Sequence, residues 1–265
     1  MRYVRIFLLH FEQAFEYRSR NFVWFLVELL NPLLYLLFWK GAYASGHVGS
    51  VTFSFSEITS YYFLLIFAGA FLTVHIEEDV ARLDIMEGGL VKYLTRPFSY
   101  FWLKFFEELP WRAIQGVFGI AIIVMFIYFF GNFVKISLDF VTIITAIGVG
   151  ILAYFLSFIF KMIVGLSALW VVDYSGLEQL VTVIFMVFAG FVIPIQFFPS
   201  VLKLISNILP FAYMIYYPVL ALEGKLQGLE LVKIVGIQLI WLSILALLYN
   251  KMWKTGTKMF TGIGQ

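Results

Sequence analysis

The sequence predicts an all-α membrane protein with six transmembrane helices. Of its 265 residues, 62% are hydrophobic and only 13% are charged, and the mean hydropathy is +0.95. A soluble globular protein is about one-quarter charged, and it could not hide this much apolar surface from water. The composition therefore excludes soluble enzymes and nucleic-acid-binding proteins and favours a chain that spans a lipid bilayer several times.

Six stretches have the roughly 20 mostly apolar residues that a bilayer-spanning helix needs: 21–43, 57–76, 111–130, 141–161, 180–197 and 232–249. Strands of a membrane barrel would alternate between apolar and polar residues, whereas these stretches are continuously apolar. We expect one membrane domain over residues 1–265. In it, 21–250 form the six-span bundle and 251–265 form a cytosolic tail.

Residues 1–20 predict a helix of a different kind. Apolar side chains recur at spacings of three and four residues between charged ones, which places them on one helical face. These apolar residues are Val4, Phe7, Leu8, Phe11 and Phe15. A helix with a basic face and an aromatic face is typical of one that lies in the membrane interface. The alternative is a cytosolic extension of the first span.

The distribution of basic residues predicts the orientation of the chain. With the N-terminus inside, twelve of the 18 lysines and arginines lie on the inner side and five on the outer side. The inner twelve are Arg2, Arg5, Arg18, Arg20, Arg82, Lys92, Arg96, Lys104, Arg112, Lys251, Lys254 and Lys258. Lys161 is expected to reach the inner headgroups. The positive-inside rule then places both termini in the cytosol.

No catalytic or metal-binding constellation is predicted. The sequence has no cysteine, and its three histidines are scattered along the chain. An intramembrane lipid-modifying enzyme would need His, Asp or Glu residues that converge at one membrane depth, and a passive channel would need a regular polar stripe along a span. Neither pattern is evident, so we expect no enzymatic activity from this chain alone.

The predicted inner connection, 77–110, is dense in charge, and its acidic residues are expected to be solvated or to face a partner. Gly88–Gly89 breaks any helix, and Pro97 ends the short helix that 90–94 would form. Such a helix could be a lever that fits a groove in a soluble partner, or the connection could be an ordinary interfacial loop. The apolar side of the lever would consist of Leu90, Leu94 and Phe98.

The predicted outer connection, 199–230, is too apolar for a solvated loop. Proline and glycine divide it into pieces shorter than a span, which favours short helices that dip into the outer leaflet.

Two segments resemble the ABC-2 type transporter permeases. Residues 80–96 are similar to the family pattern I..G.L..YL.RP.S, and 189–225 to the pattern sG...P..fFP..l......LPF....Y.P......G. The matching positions of the second segment are Gly190, Pro194, Phe198, Pro199, Leu209, Pro210, Phe211, Tyr217, Pro218 and Gly224. Ala189 departs from the expected serine but keeps its small size.

This resemblance implies the permease subunit of an ABC exporter in the cytoplasmic membrane. Its partners would be two cytosolic ATP-binding subunits, a second membrane subunit, identical or related, and the lipid bilayer. The resemblance implies an ATPase-coupling helix that includes Glu87, Gly88, Gly89, Leu90, Lys92, Tyr93, Leu94, Arg96 and Pro97. It also implies re-entrant outer helices that include Pro194, Pro199, Pro210, Phe211, Tyr217 and Pro218.

The chain contains no G-x-x-x-x-G-K-[ST] sequence, which is the phosphate-binding loop of many ATPases. We therefore expect this chain to bind no cofactor, and ATP with Mg²⁺ would be held by the partner subunit.

A substrate path is predicted from polar and aromatic residues within the spans. Glu28 is either a substrate or proton site or the partner of a basic group such as Arg112 or Lys161. Gln179, Thr182 and Met186 share one helical face of the fifth span. The resemblance implies that the second and fifth spans line the route, which adds Phe67, Phe71 and Phe188; the alternative is that these aromatic residues face lipid. The expected substrate is amphiphilic or hydrophobic: a drug, a peptide, a lipid or a glycan precursor.

Overall fold

The computed structural model describes residues 2–45, 54–130 and 139–260, and these ranges contain twelve α-helices and no β-strand. The helices are α1 (Arg2–Glu16), α2 (Arg18–Ala44), α3 (Phe55–Leu72), α4 (Ile76–Glu78), α5 (Val91–Leu94), α6 (Tyr100–Phe130), α7 (Phe140–Leu166), α8 (Tyr174–Phe188), α9 (Ser200–Ile208), α10 (Phe211–Met214), α11 (Tyr216–Leu222) and α12 (Gly228–Met259). The prediction of an all-helical protein is confirmed for the described ranges.

Within the described ranges, five helical segments are long and apolar enough to cross a membrane. They are α2, α3 with its continuation to Met86, α6, α7 with its continuation to Leu169, and α12. Helices α9 and α10–α11 meet at a bend of 66° and would make a sixth span if they are counted together. The chain is therefore a multi-pass membrane protein.

The predicted fifth span, 180–197, is not one continuous helix. Helix α8 begins earlier, at Tyr174, and ends at Phe188. Gly190 follows with a φ of +88°, a conformation that ends helices and favours glycine. The Tyr61 hydroxyl donates to the Gly190 carbonyl at 2.8 Å. With 15 residues, α8 is about 22 Å long, which is shorter than the hydrocarbon core of a bilayer.

The predicted inner connection, 77–110, is also largely helical. After a break at 73–75, the second span continues through α4 into a π-helix, Asp79–Met86. Helix α6 begins at Tyr100 and contains Pro110. The connection is therefore only 87–99, and the prediction was wrong because dense charge was taken as a sign of exposure to solvent.

Helix α3 is the centre of the bundle and packs closely against α6. A Cβ atom on Gly119 would lie 3.0 Å from the Cα of Phe67, and one on Gly116 would lie 3.1 Å from the Cδ2 of Phe71. Small residues at such contacts let two membrane helices approach each other. The two glycines therefore fix the position of α3 beside α6.

Aromatic contacts between helices join one end of the helical bundle. At this end, the Tyr3 ring of α1 stacks on Phe106 of α6 at 5.5 Å, and Tyr100 stacks on Trp253 of α12 at 4.7 Å between centroids. We call this end, which contains α1, α5 and the last turns of α12, the basal end. The sequence predicts that it faces the cytosol. Along α1, Val4, Leu8 and Phe15 stay exposed, as an interfacial helix would require.

Candidate functional site

Residues 87–97, which we call the coupling segment, form a tight turn followed by α5. Gly88 has a φ of +78°, which favours glycine. The Gly89 N–H donates to the Leu83 carbonyl at 3.1 Å, and a Cβ atom on Gly89 would lie 2.5 Å from that oxygen. The Gly-Gly pair thus folds the segment back against the π-helix.

Leu90 anchors the coupling segment inside the bundle. Its side chain is completely buried, and its N–H donates to the Asp84 carbonyl at 2.6 Å. The prediction that Leu90 lies on the exposed side of the lever is therefore wrong in this conformation. The Tyr93 ring is half-buried and packs on Tyr100 at 5.3 Å. The exposed residues of the segment are Glu87, Val91, Lys92, Leu94, Thr95, Arg96 and Pro97.

A buried charge network attaches the π-helix to α6 behind the coupling segment. Lys104 Nζ lies 2.8 Å from Asp84 Oδ2 and 3.1 Å from Glu107 Oε2. The Tyr100 hydroxyl donates to Asp84 Oδ2 at 2.6 Å, and Lys104 donates to the Tyr93 hydroxyl at 3.3 Å. Asp84 is 1% exposed, so the expectation that it is solvated or faces a partner was wrong.

Helix α1 reaches the same network through His10. The His10 Nε2 lies 3.8 Å from Glu107 Oε1. Burial lowers the pKa of His10 more than the nearby Glu107 carboxylate raises it. Burial therefore favours the neutral imidazole, and with it a polar contact rather than a salt bridge.

A second charge pair covers the break in the helix after Leu72. Arg112 Nε lies 2.8 Å from Glu108 Oε1. The Arg112 guanidinium donates to the Thr73 carbonyl at 2.9 Å, and the His75 N–H donates to Glu108 at 3.3 Å. The break leaves the Thr73 carbonyl and the His75 N–H without hydrogen bonds inside a helix, and side chains of α6 bond to both. These hydrogen bonds stabilise the break.

A third pair joins the second and fourth spans. Lys161 donates to Glu77 Oε1, and the two residues are 5% and 3% exposed. The expectation that Lys161 reaches the headgroups is therefore wrong, because the ammonium group has a buried carboxylate as its partner. The side chain of Glu28 lies outside the described part of the structure. Of the two basic residues considered as its partner, Arg112 contacts Glu108 and Lys161 contacts Glu77, and whether either also pairs with Glu28 stays a prediction.

A cavity of about 320 Å³ lies between α2, α3 and α8. Its wall is mostly apolar, with aromatic residues from α2, α8 and the chain that follows α8. The polar residues of the wall are Asn31, Thr73, His75, Glu77, Lys161, Glu178 and Thr182. An apolar cavity with a few polar groups is typical of a site for a small organic ligand.

The structure brings only some of the predicted path residues to this cavity. Thr182 and Met186 line it together with Glu178 and Phe185, which lie on the same face of α8. Gln179 is exposed and is not part of the wall. The residues that pack elsewhere are Phe67 and Phe71, which contact α6, and Phe188, which packs against the core of the bundle.

The predicted re-entrant segment folds into short helices whose starts are marked by proline. Pro199 and Pro210 precede α9 and α10, and Pro194 precedes a single 3₁₀ turn. Tyr61 contacts both Gly190, before these helices, and Tyr216, near their end, at 6.1 Å between rings. The segment between Gly190 and Tyr216 therefore begins and ends beside Tyr61. The buried residues in this part include Phe211, Tyr217 and Pro218.

In the ranges that the structure describes, no group of three or more His, Asp or Glu residues could hold a metal ion. The charged residues that sequence reasoning missed are Asp84, Lys104, Glu107 and Glu108. The sequence could have revealed two of these ion pairs. Lys104–Glu107 and Glu108–Arg112 have the spacings of three and four residues that form ion pairs on a helix.

The chain matches a family model described as ABC-2 family transporter protein over residues 29–264. No curated protein matches the chain.

Proposed function

Because the chain belongs to the ABC-2 transporter family, we propose that it is the permease subunit of an ATP-driven exporter for an amphiphilic or hydrophobic compound. In this proposal, two separate ATP-binding subunits supply the energy, since the chain has no phosphate-binding loop of its own. A second membrane subunit completes the complex. The basal end faces the cytosol, as the distribution of basic residues predicts.

The attachment of the coupling segment is the observation that carries this proposal. Val91, Lys92 and Leu94 are exposed at the basal end, whereas Leu90 is buried. The preceding π-helix is fixed to α6 by the Asp84–Lys104 pair. A force on α5 would therefore act on the second and third spans together, because Leu90 is bonded to Asp84 and Asp84 is paired with Lys104.

The cavity between α2, α3 and α8 would be the substrate site. Two of its walls, α3 and α8, belong to the spans for which the sequence predicts a lining role. The coupling segment and the cavity share one element, because α3 continues through the break at 73–75 into the π-helix. Movement of the coupling segment could thus change the affinity of the cavity for its ligand, which is what transport requires.

Copurification tests the assignment of the subunits. A tag on this chain should retain an ATP-binding subunit in stoichiometric amount, and the reconstituted complex should hydrolyse ATP faster when substrate is present. ATP hydrolysis by the purified chain alone would contradict the proposal.

Insertion of a flexible spacer tests the path of the force. A Gly-Ser-Gly insertion after Gly89 should abolish transport while the complex still assembles. The same insertion after Gln227, between α11 and α12, is the matched control and should have a smaller effect. Full transport with the spacer after Gly89 would show that the coupling segment is not the lever.

A further inference from the structure

The polar end of the cavity contains hydrogen-bond acceptors that lack a donor. Glu77 is 3% exposed and uses Oε1 to bind Lys161. Its second oxygen, Oε2, is buried and has no hydrogen-bond partner in the described part of the chain, and the same holds for Thr73 Oγ1. Buried acceptors without a partner cost free energy. Both residues line the cavity, but the two atoms themselves have almost no accessible surface. A ligand that donates hydrogen bonds would satisfy them once the two side chains turn toward the cavity.

Among the wall residues that the structure describes, the charged side chains leave an excess of negative charge. Glu77 and Glu178 contribute two carboxylates to the wall, and Lys161 contributes one ammonium group. The nearby Arg112, which donates to the Thr73 carbonyl at 2.9 Å, is balanced by Glu108 at 2.8 Å. An anionic headgroup would therefore be repelled, whereas a cationic one would neutralise the site.

The remaining wall suits the apolar part of the same ligand. The rings of Phe185 and Phe191 lie 5.9 Å apart between centroids and are tilted by 49°, and Phe25, Leu29 and Leu65 come from α2 and α3. Aromatic faces attract cations as well as alkyl groups. Lys161 Nζ already lies 5.9 Å from the Phe185 ring, which shows that an ammonium group is accommodated beside it.

We propose that this cavity selects amphiphiles whose headgroup is a primary ammonium. In the bound state, the side chains of Thr73 and Glu77 would turn toward the cavity, and the ligand nitrogen would donate to Glu77 Oε2 and Thr73 Oγ1. Glu178 would balance its charge, and the alkyl chain would lie against Phe25, Leu65 and Phe185. This proposal rests on the transport function proposed above, because it takes the cavity to be the substrate site. The same headgroup chemistry occurs in an exported amine and in phosphatidylethanolamine of the bilayer.

Binding of matched probes to the purified full chain tests this selectivity. In nanodiscs of phosphatidylcholine, decylammonium should bind at least about tenfold more tightly than decanoate, because a charged hydrogen bond replaces a repulsion. The Glu178→Gln variant should lose most of this preference. Glu230→Gln, which removes an exposed carboxylate outside the cavity, is the matched control and should keep it. Equal or tighter binding of decanoate, or an unchanged preference in Glu178→Gln, would overturn the proposal.

The role of the unpaired acceptors needs separate variants. Glu77→Gln alone would leave Lys161 buried without its partner, and it could fail to fold. The double variant Glu77→Gln/Lys161→Met removes both charges together, and Thr73→Val removes the hydroxyl without changing the size of the side chain. Each should weaken decylammonium binding but not decanol binding. An unchanged affinity for decylammonium in both variants would refute the assignment of these acceptors.

The source of the headgroup is decided by competition. If phosphatidylethanolamine is the resident ligand, its inclusion in the nanodiscs should weaken decylammonium binding, and Glu178→Gln should remove this effect. If an exported amine is the ligand, the lipid should have no effect. The assay contains no ATP and no ATP-binding subunit. If the chain supports ATP-driven export but shows no preference for decylammonium, this inference alone is refuted. If the chain prefers decylammonium but copurifies with no ATPase, the transport assignment alone is refuted.

Discussion

The ammonium nitrogen of Lys104 lies 2.8 Å from the Oδ2 atom of Asp84, and the side chains of both residues are almost completely buried, at 4% and 1% exposed. Lys104 belongs to α6 and Asp84 to the π-helix, so this pair joins the two elements on either side of the coupling segment. π-Helical segments are rare and occur frequently at functional sites. In the function proposed above, the pair lies where force from an ATP-binding subunit would enter the bundle.

Replacing one member of this pair should destabilise the protein strongly. Lys104→Met should lower the free energy of unfolding by about 3 kcal/mol, because it leaves the buried Asp84 with only the exposed and more distant Lys92, at 4.0 Å, as a cationic neighbour. Thermal unfolding of the purified chain in detergent measures this as a lower Tm. Lys254→Met, at an exposed position of α12, is the control. The double variant Asp84→Asn/Lys104→Met should recover part of the loss, and a wild-type Tm for Lys104→Met would contradict the assignment.

Gly89 should not tolerate even a methyl group. A Cβ atom there would lie 2.5 Å from the Leu83 carbonyl oxygen, whereas a Cβ atom on Gly150 of α7 would have no heavy atom within 4 Å. Gly89→Ala should therefore displace the coupling segment and reduce both Tm and substrate-stimulated ATP hydrolysis. Gly150→Ala should leave both unchanged or raise Tm slightly, because alanine favours helix. Similar results for the two variants would mean that the turn is not fixed by the Leu83 contact.

The spans could be predicted from the sequence because continuous apolar stretches have few alternatives to transmembrane helix. The predicted first, fourth and sixth spans lie within α2, α7 and α12. The end of α8 could not be predicted from hydropathy, since 189–197 remain apolar while Gly190 takes a left-handed conformation. The Gly190 carbonyl is bonded by Tyr61, a residue far away in the sequence.

The basal charges escaped prediction for a related reason. Asp84, Lys104 and Glu77 read as solvated residues of a loop. A linear pattern can show a pair within one helix, such as Lys104–Glu107, but it does not show partners that lie on different helices. Burial of each charge is favourable only with its partner in place, and the partners lie on different helices. The cavity could be predicted in part. Thr182 and Met186, two of the three residues expected on one face of α8, line the cavity, whereas the third, Gln179, is exposed outside it. Phe67 and Phe71 were chosen because they are aromatic, but they pack against glycines of α6. The role of all five residues in transport stays a prediction.

Arg96 should be required for coupling but not for folding. Its side chain is exposed in the coupling segment, where it could pair with a carboxylate of an ATP-binding subunit. Arg96→Ala should leave Tm unchanged and reduce substrate-stimulated ATP hydrolysis by about tenfold, as the loss of one charged contact predicts. The matched control is Lys254→Ala, at the same end of the bundle. Unchanged transport and hydrolysis in Arg96→Ala would exclude this residue from the interface.

Glu223 should make the stability of the chain depend on pH. Burial raises the pKa of this carboxyl from its ordinary value of 4.5 to about 7, opposed by Lys225 at 3.1 Å and assisted by the nearby Glu57. The folded protein therefore holds this proton more tightly than the unfolded chain does, and stability falls as the pH rises from about 4.5 to about 7. The full effect is about 3 kcal/mol at most. Between pH 5 and pH 8, Tm should fall less in Glu223→Gln than in the wild type, whereas the exposed Glu230→Gln should follow the wild type. Parallel pH profiles for wild type and Glu223→Gln would show that this carboxyl titrates as if it were in water.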